Sequence, residues 1–293
     1  EKQFAPNVLR QLRRLKAAIE DIQVKDEATS HVRDLLLVAF SAILIDCSRL
    51  KRAPCLGYVR EKYVSPDAPW KLLNEKIRQI AKDLALVQKC HPRSVRVPCT
   101  VACDNSMTHD YPMKFDLAVT SPPYMNGLDY VMNYKIEMGW LGFLESHQRA
   151  KSIKDEMVVC DNVSKGLIRK FSSDESTYSN PWIDDIKGRI AEGIRRRGAY
   201  RRPDMPGIVH KYFHDMFAVM RNVARALRRR GRFILVVGDS LIADVYIPTD
   251  LILARMGTEL GFRIERLERA RTRRSGQVRS YRLRETVITL QKE

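Results

Sequence analysis

Apolar residues recur at three- and four-residue steps along the first part of the chain. Phe4, Val8, Leu12, Leu15, Ile19 and Ile22 share one face of a helix predicted over 4–24. A second helix is predicted over 31–48, apolar on nearly every side and therefore buried. Pro54, Gly57, Pro66 and Pro69 mark an irregular stretch, and Leu73, Ile77, Ile80 and Leu84 set a third helix over 70–89. The period then changes. Val95–Cys103 alternates as a strand does, with Pro98 placing it at an edge or a bulge. Phe115–Thr120 is a short apolar run ending in Ser-Pro-Pro-Tyr, and a helix follows from Tyr130 to Leu144. Residues 145–207 are polar, basic and turn-rich without a clear period, which suits an insertion or a mobile arm. Helical spacing returns over 208–229, with Tyr212, Met216, Val219, Met220, Val223 and Leu227 inward and Gly231 as the cap. Phe233–Val237 is an apolar strand followed at once by Gly238, Asp239 and Ser240. Pro248 opens a further helix and Gly261 closes it. Phe262–Leu267 and Arg282–Leu290 complete the strands, joined by an Arg-rich segment, 269–280.

Strand and helix alternating in this way predict an α/β sheet with helical crossovers. Ligands in such sheets bind beyond the carboxyl ends of the strands. Two segments have that placement, Thr120–Tyr124 and Gly238–Ser240. The remaining bulk properties exclude more than they assign. The longest apolar run, Leu35 to Ile45, is too short to cross a bilayer, so no membrane partner is expected. No secretory leader pattern is present. Six cysteines, at 47, 55, 90, 99, 103 and 160, form no CxxC pair and are expected as reduced thiols in a cytoplasmic protein. Cys90, His91, Cys99 and Cys103 have irregular spacing for zinc, and His210 and His214 lack the Glu of a metalloprotease helix, so no metal is expected.

Charge narrows the partners. Lys and Arg number 52 against 35 Asp and Glu, a net +17. A field of that sign favours a polyanion, nucleic acid first, with a generic basic protein as the alternative. Arginine dominates the clusters at 195–202, 228–232 and 269–274. Its planar fork fits phosphate with two bonds.

The chemistry is concentrated in Ser121-Pro122-Pro123-Tyr124. Each proline fixes its own φ and lacks a donor, and Pro123 pushes Pro122 into an extended conformation. A stiff bend results, with outward carbonyls, the Ser121 hydroxyl and the Tyr124 ring. Fixed acceptors beside a stacking face suit a planar heterocycle with an amino group.

Asp116–Tyr124 resembles the catalytic motif of the amino-group DNA methyltransferases. The similarity extends to Tyr212–Met216 with Arg225–Leu227, to Val236–Ser240 and to Arg284–Ile288, and Phe4–Arg49 resembles a helical pair that some members carry. The resemblance implies a class I, Rossmann-like S-adenosylmethionine-dependent methyltransferase sheet with an added N-terminal helical region. Its implied division is a helical region 1–92, a catalytic part 93–144, a basic insertion 145–207 that serves as a DNA-recognition arm, and the C-terminal half of the sheet, 208–293. The implied cofactor is S-adenosylmethionine, held by Asp104, Asn105 and Thr120, although Cys103 stands where the family often has Gly. The implied partner is double-stranded DNA. A base would flip from the duplex, stack on Tyr124 and give its amino hydrogens to Ser121 and the carbonyl after Pro122. Serine at the first position leans toward cytosine N4 over adenine N6. Tyr130, Asp239, Ser240, Arg271, Arg273 and Arg274 are expected to line the base pocket or meet DNA. Tyr130 with Tyr134, and Asp239 with Ser240, are alternatively core and turn residues.

One family feature is missing. The family carries a glycine-rich turn after its first strand, and none of the 14 glycines here forms Gly-x-Gly. The sheet is therefore expected to be incomplete in this chain, which starts with Glu rather than Met. The missing strands are expected from an upstream segment or a second chain. A non-catalytic nucleic-acid-binding subunit and an RNA amino-methyltransferase remain alternative readings.

Overall fold

The computed structural model describes residues 2–52, 56–93, 97–125, 127, 129–160, 162–198, 202–274 and 281–293. These residues form two compact units, one of 1–102 with 130–150 and one of 103–129 with 151–293.

The first unit is mainly helical. Helix α1 (Pro6–Glu20) buries Val8, Leu12 and Ile19, as its spacing predicts. Helix α2 (Glu27–Ile43) starts at a capping box, with Thr29 N donating to the Asp26 carboxylate at 2.8 Å. Strands β1 (Leu50–Arg52) and β2 (Leu56–Tyr58) form a short antiparallel pair. Helices α3 (Ala68–Cys90) and α4 (Tyr130–Trp140) complete the unit. Trp140 meets the edges of Phe4 and Phe40 at 5.8 and 5.5 Å between ring centres, locking α4 to the N-terminal helices. Helix α2 differs from expectation. Only Ala39, Phe40 and Ile43 are buried, while Val32 and Val38 are 52% and 58% exposed. Its neighbours cover a single stripe, and apolar residues on the other sides remain in water. Cys47 is buried in this core, which pushes its thiol up to about 12 and keeps it protonated.

The second unit carries the sheet. The alternating run 95–103 does not form a strand over its described residues; 97–103 is irregular, with Val97 and Val101 exposed, and 94–96 lie outside the described residues. Pro98 offers no ladder donor there. Asp104 and Asn105 therefore sit in a turn rather than at a strand end. Strand β3 (Phe115–Thr120) falls where the pattern places it.

The stretch 145–207 is the largest departure. It holds helices α5 (His147–Glu156), α6 (Lys165–Ser172) and α7 (Pro181–Arg197). Ser164 and Asn180 cap the last two through Leu167 N and through Trp182 N and Ile183 N. Ile183, Ile186 and Ile190 form one buried stripe on α7, packed into the main core. A single apolar stripe among many charges hides the helical period in the sequence.

Helix α8 (Met205–Ala226) is the centre of that core. It ends where Leu227 turns extended, and strand β4 (Leu227–Gly238) begins at that residue. Gly231 is thus not a helix cap. It lies in the slipped start of β4, where a Cβ would stand 2.8 Å from the Arg228 carbonyl. Strands β5 (Ser240–Ile242) and β6 (Val245–Ile247) form a tight hairpin through Ala243 and Asp244, both at positive φ. Helix α9 (Thr249–Glu259) follows Pro248, and Gly261 at φ 82° releases the chain beyond it. Strands β7 (Phe262–Arg274) and β8 (Arg282–Lys292) are longer than their apolar runs. The arginines 269–274, expected in a connecting loop, are ladder residues of β7 paired with β8, and 275–280 lie outside the described residues.

The sheet is mixed, in the order β3-β4-β8-β7. Strand β3 runs parallel to β4, with Ala118 opposite Phe233 and Thr120 opposite Leu235. Strand β8 runs antiparallel to β4 and β7, and Gly238 faces Glu285. Phe233, Leu235 and Val237 of β4 bury against α8 residues Tyr212, Phe213 and Met216 and against α9. Burying six such side chains removes on the order of 10 kcal/mol of apolar surface cost. This anchors the ends of β3 and β4 in a rigid layer. No helix is long and apolar enough to cross a membrane among the described residues.

Candidate active site

Ser121, Pro122, Pro123 and Tyr124 leave the carboxyl end of β3. Three contacts hold this turn. The Ser121 hydroxyl donates to the Val236 carbonyl at 3.3 Å. The buried Tyr212 hydroxyl donates to the Pro123 carbonyl at 2.9 Å. Gly127 N closes back on the Tyr124 carbonyl at 2.8 Å, and a Cβ on Gly127 would stand 2.7 Å from that oxygen. Gly127 is thus required by close approach, a role invisible without the turn. With its proton committed to Val236, the Ser121 oxygen has two lone pairs, one within reach of the Tyr124 hydroxyl and one left as an acceptor.

Tyr124 is half-buried beside this oxygen. Burial raises its phenol above the ordinary value, and the charge of Glu285 adds to this; Arg273, a hydrogen bond with Ser121 and Arg271 act the other way. The ring stays neutral at physiological pH. The guanidinium of Arg273 lies over it, 5.4 Å from the ring centre.

The turn after β4 has a different character. Asp239 and Ser240 are both buried. The Asp239 carboxylate accepts from Tyr246 and, at 2.9 Å, from Arg284 Nε. Arg284 Nη2 also donates to Asp250 at 2.9 Å, and Thr286 donates to Asp250 at 2.7 Å. Burial raises the Asp250 carboxyl, with Asp239 adding to it. The Tyr246 phenol is likewise raised by burial and by its bond to Asp239. Tyr246, Asp250, Arg284, Glu285 and Thr286 were not candidates from sequence. Only the adjacency of β4, β6, α9 and β8 assembles them.

The other expected residues are distributed as follows. Thr120 ends β3 and lines a cleft of about 390 Å³ with Tyr111, Phe115, Leu117, Val119 and Pro122. Asp104 accepts from His109 Nδ1 at 2.7 Å, and that bond holds its carboxyl below the usual range. Asn105 donates to the Glu156 carbonyl at 2.9 Å. Asn222 of α8 ties the same turn down through the Ser106 and His109 carbonyls. Asp104 itself does not line the cleft; Ser106 does. Tyr130 belongs to the first unit, where its ring stacks on Tyr134. Arg271 pairs with Glu285 at 3.0 Å while its side chain stays 70% exposed, and Arg274 is exposed. In the other arginine cluster, Arg195 pairs with Glu192, and Arg202 is enclosed between Asp204 and the Val163 carbonyl. His210 and His214 grip the backbone of Tyr178 from both sides, at 2.9 and 3.0 Å.

A parallel β3–β4 pair on a mixed α/β sheet thus presents the Ser-Pro-Pro-Tyr turn at its carboxyl end. Comparison with known proteins finds relatives among the type II methyltransferases. The chain is 26% identical over 155 residues to the type II methyltransferase M.AvaI of a Nostoc species, covering 52% of this chain and 32% of that protein. It is 22% identical over 220 residues to the type II methyltransferase M.BsoBI of Geobacillus stearothermophilus, covering 70% of this chain and 43% of that protein. The chain is a relative of these type II methyltransferases and, with them, of the amino-methyltransferase family. It spans well under half the length of either relative. No protein-family model matches the chain, and no solved structure does.

Proposed function

We propose that this chain is the catalytic part of an S-adenosylmethionine-dependent DNA methyltransferase that modifies the exocyclic amino group of a flipped base, cytosine N4 ahead of adenine N6. The observation that carries this reading is the turn Ser121–Tyr124, where an acceptor oxygen with its proton committed elsewhere stands beside a neutral aromatic ring. The base stacks on Tyr124, and its amino group donates to Ser121 and to the carbonyl of Pro122. These bonds draw the nitrogen toward tetrahedral geometry and expose its lone pair. Catalysis is positioning and electrostatics, and the amine loses its proton after the transfer.

S-adenosylmethionine supplies the electrophilic methyl when bound. The cleft along β3 suits the adenosyl group, with apolar walls from Tyr111, Phe115 and Leu117 and Thr120 at its end. Asp104 and Asn105 are the polar candidates beside it. Strand β3 is at the edge of the sheet, and Leu117 and Val119 on it are 54% and 63% exposed. We infer that the Rossmann-like sheet continues past this edge, with strands and a glycine-rich turn from another segment or chain. The exposed arginines of β7, Arg271 and Arg274, are assigned to the DNA backbone, and residues 145–207 to the recognition arm. A chromosome as substrate places the protein in the cytoplasm, in a restriction-modification or genome-marking role.

The test is a map of methylated bases in the native host, with and without Ser121→Ala. Loss of an N4-methylcytosine mark at one motif is the expected result. An unchanged map with the protein expressed would falsify the reading and bring the non-catalytic subunit forward.

A further inference from the structure

Arg273 stands apart from the other arginines of β7. Arg269, Arg271 and Arg274 are exposed, but Arg273 is half-buried. Its Nη2 donates to the Asp239 carbonyl at 2.6 Å, and its guanidinium lies over Tyr124. Gly238 makes the space, since a Cβ there would stand 3.0 Å from both Arg273 Nη2 and Tyr124 Cε2. The Nε of Arg273 is sealed from water and meets no acceptor among the described residues. An arginine that gives up hydration and leaves a donor unanswered is held by the shape of its seat, not by an ion pair. That seat is flat, bounded by an aromatic face and a carbonyl. A guanidinium is planar and presents paired N–H donors. The amino-bearing edge of cytosine or adenine has the same outline, a planar carbon carrying an NH2 beside a ring nitrogen.

We propose that Arg273 occupies the seat of the target base in the base-free enzyme, and that the flipped base displaces it. This rests on the reading of Tyr124 as the ring on which the base stacks. Arg273 is then a positioning residue that sets how readily the pocket accepts a base. Once displaced, its charge joins the exposed Arg271, two residues along the same face of β7, where phosphate is the natural partner.

The test uses enzyme purified from its native cell and amplified, unmethylated genomic DNA as the probe, with labelled S-adenosylmethionine. Arg273→Lys keeps the charge but cannot lie flat on the ring. It is expected to lower KM for DNA about fivefold, the size of a partly buried cation–π contact that no longer has to be broken. Its kcat is expected to stay within about twofold. A raised or unchanged KM overturns the proposal. A second measurement needs no variant: phenylglyoxal modification of the DNA-free wild type, followed by peptide mass spectrometry. Arg273 is expected to react several-fold more slowly than Arg269, and equal rates overturn the seat. If the wild type transfers no methyl to DNA, the base-stacking reading itself falls and this proposal with it. Methyl transfer with equal arginine reactivities removes the proposal alone.

Discussion

Two turns leave neighbouring parallel strands at the same end of one sheet, and they are built on opposite plans. Ser121–Tyr124 after β3 is held by three hydrogen bonds that leave the Ser121 oxygen able to accept and the Tyr124 ring half-exposed. Gly238–Ser240 after β4 is buried, and its one carboxylate is tied to Tyr246 and Arg284. The first keeps polar groups available for a ligand. The second commits one oxygen of the Asp239 carboxylate to its neighbours, while Asp239 Oδ1, also buried, meets no partner among the described residues. In the proposed reading the sheet end pairs one working turn with one buried neighbour.

That division can be broken by substitution. The largest effect is expected from Arg284→Ala, which leaves the Asp239 and Asp250 carboxylates together in a partly buried network without the cation they share. Chemical unfolding should show a loss of about 3 kcal/mol, as for other broken buried pairs. Unchanged stability with lost methylation would reverse the roles of the two turns. Tyr124→Ala comes next. It is expected to lower methylation about thirtyfold, the loss of one stacked base contact, with the unfolding midpoint little changed. A large stability loss there would mean the ring is framework too. Gly238→Ala places a methyl 3.0 Å from both Arg273 and Tyr124. Methylation is expected to fall about tenfold through a small displacement of the ring. The smallest effect sharpens the picture elsewhere. Burial lowers His210 and His214 below the ordinary imidazole value of 6.5 in the fold, so the unfolded chain takes up protons first. Their contribution to stability is complete above about 6.5 and is lost as pH falls through the lower folded value. Acid titration of the melting temperature should show this slope, and His210→Asn with His214→Asn should flatten it.

The Ser121–Tyr124 turn was readable in the sequence, and the contacts of its buried neighbour were not. Two prolines, a hydroxyl and an aromatic ring carry their conformation and chemistry locally, so Ser121–Tyr124 and strand β3 are visible without a fold. Helices α1, α3 and α8 announce themselves for the same reason, since a wide apolar face repeats every turn. Helix α7 escaped because three isoleucines among charges make too narrow a stripe. The arginines 269–274 read as a loop because nothing in their own pattern shows that β8 pairs with them.

The amino-acid sequence by itself determined the alternation of strand and helix, the basic charge, the stiff Ser-Pro-Pro-Tyr bend and the absence of a Gly-x-Gly turn. These follow from properties of single residues or of residues a few positions apart. Tertiary structure decided that Asp239 is buried against Tyr246 and Arg284 and that Arg273 alone among the described β7 arginines lies over Tyr124. It also decided that Tyr130 falls in the N-terminal unit, stacked on Tyr134. Arg273 reaches partners 34 and 149 positions away, Asp239 and Tyr124. Such pairings are set by sheet register and burial, which no local pattern encodes.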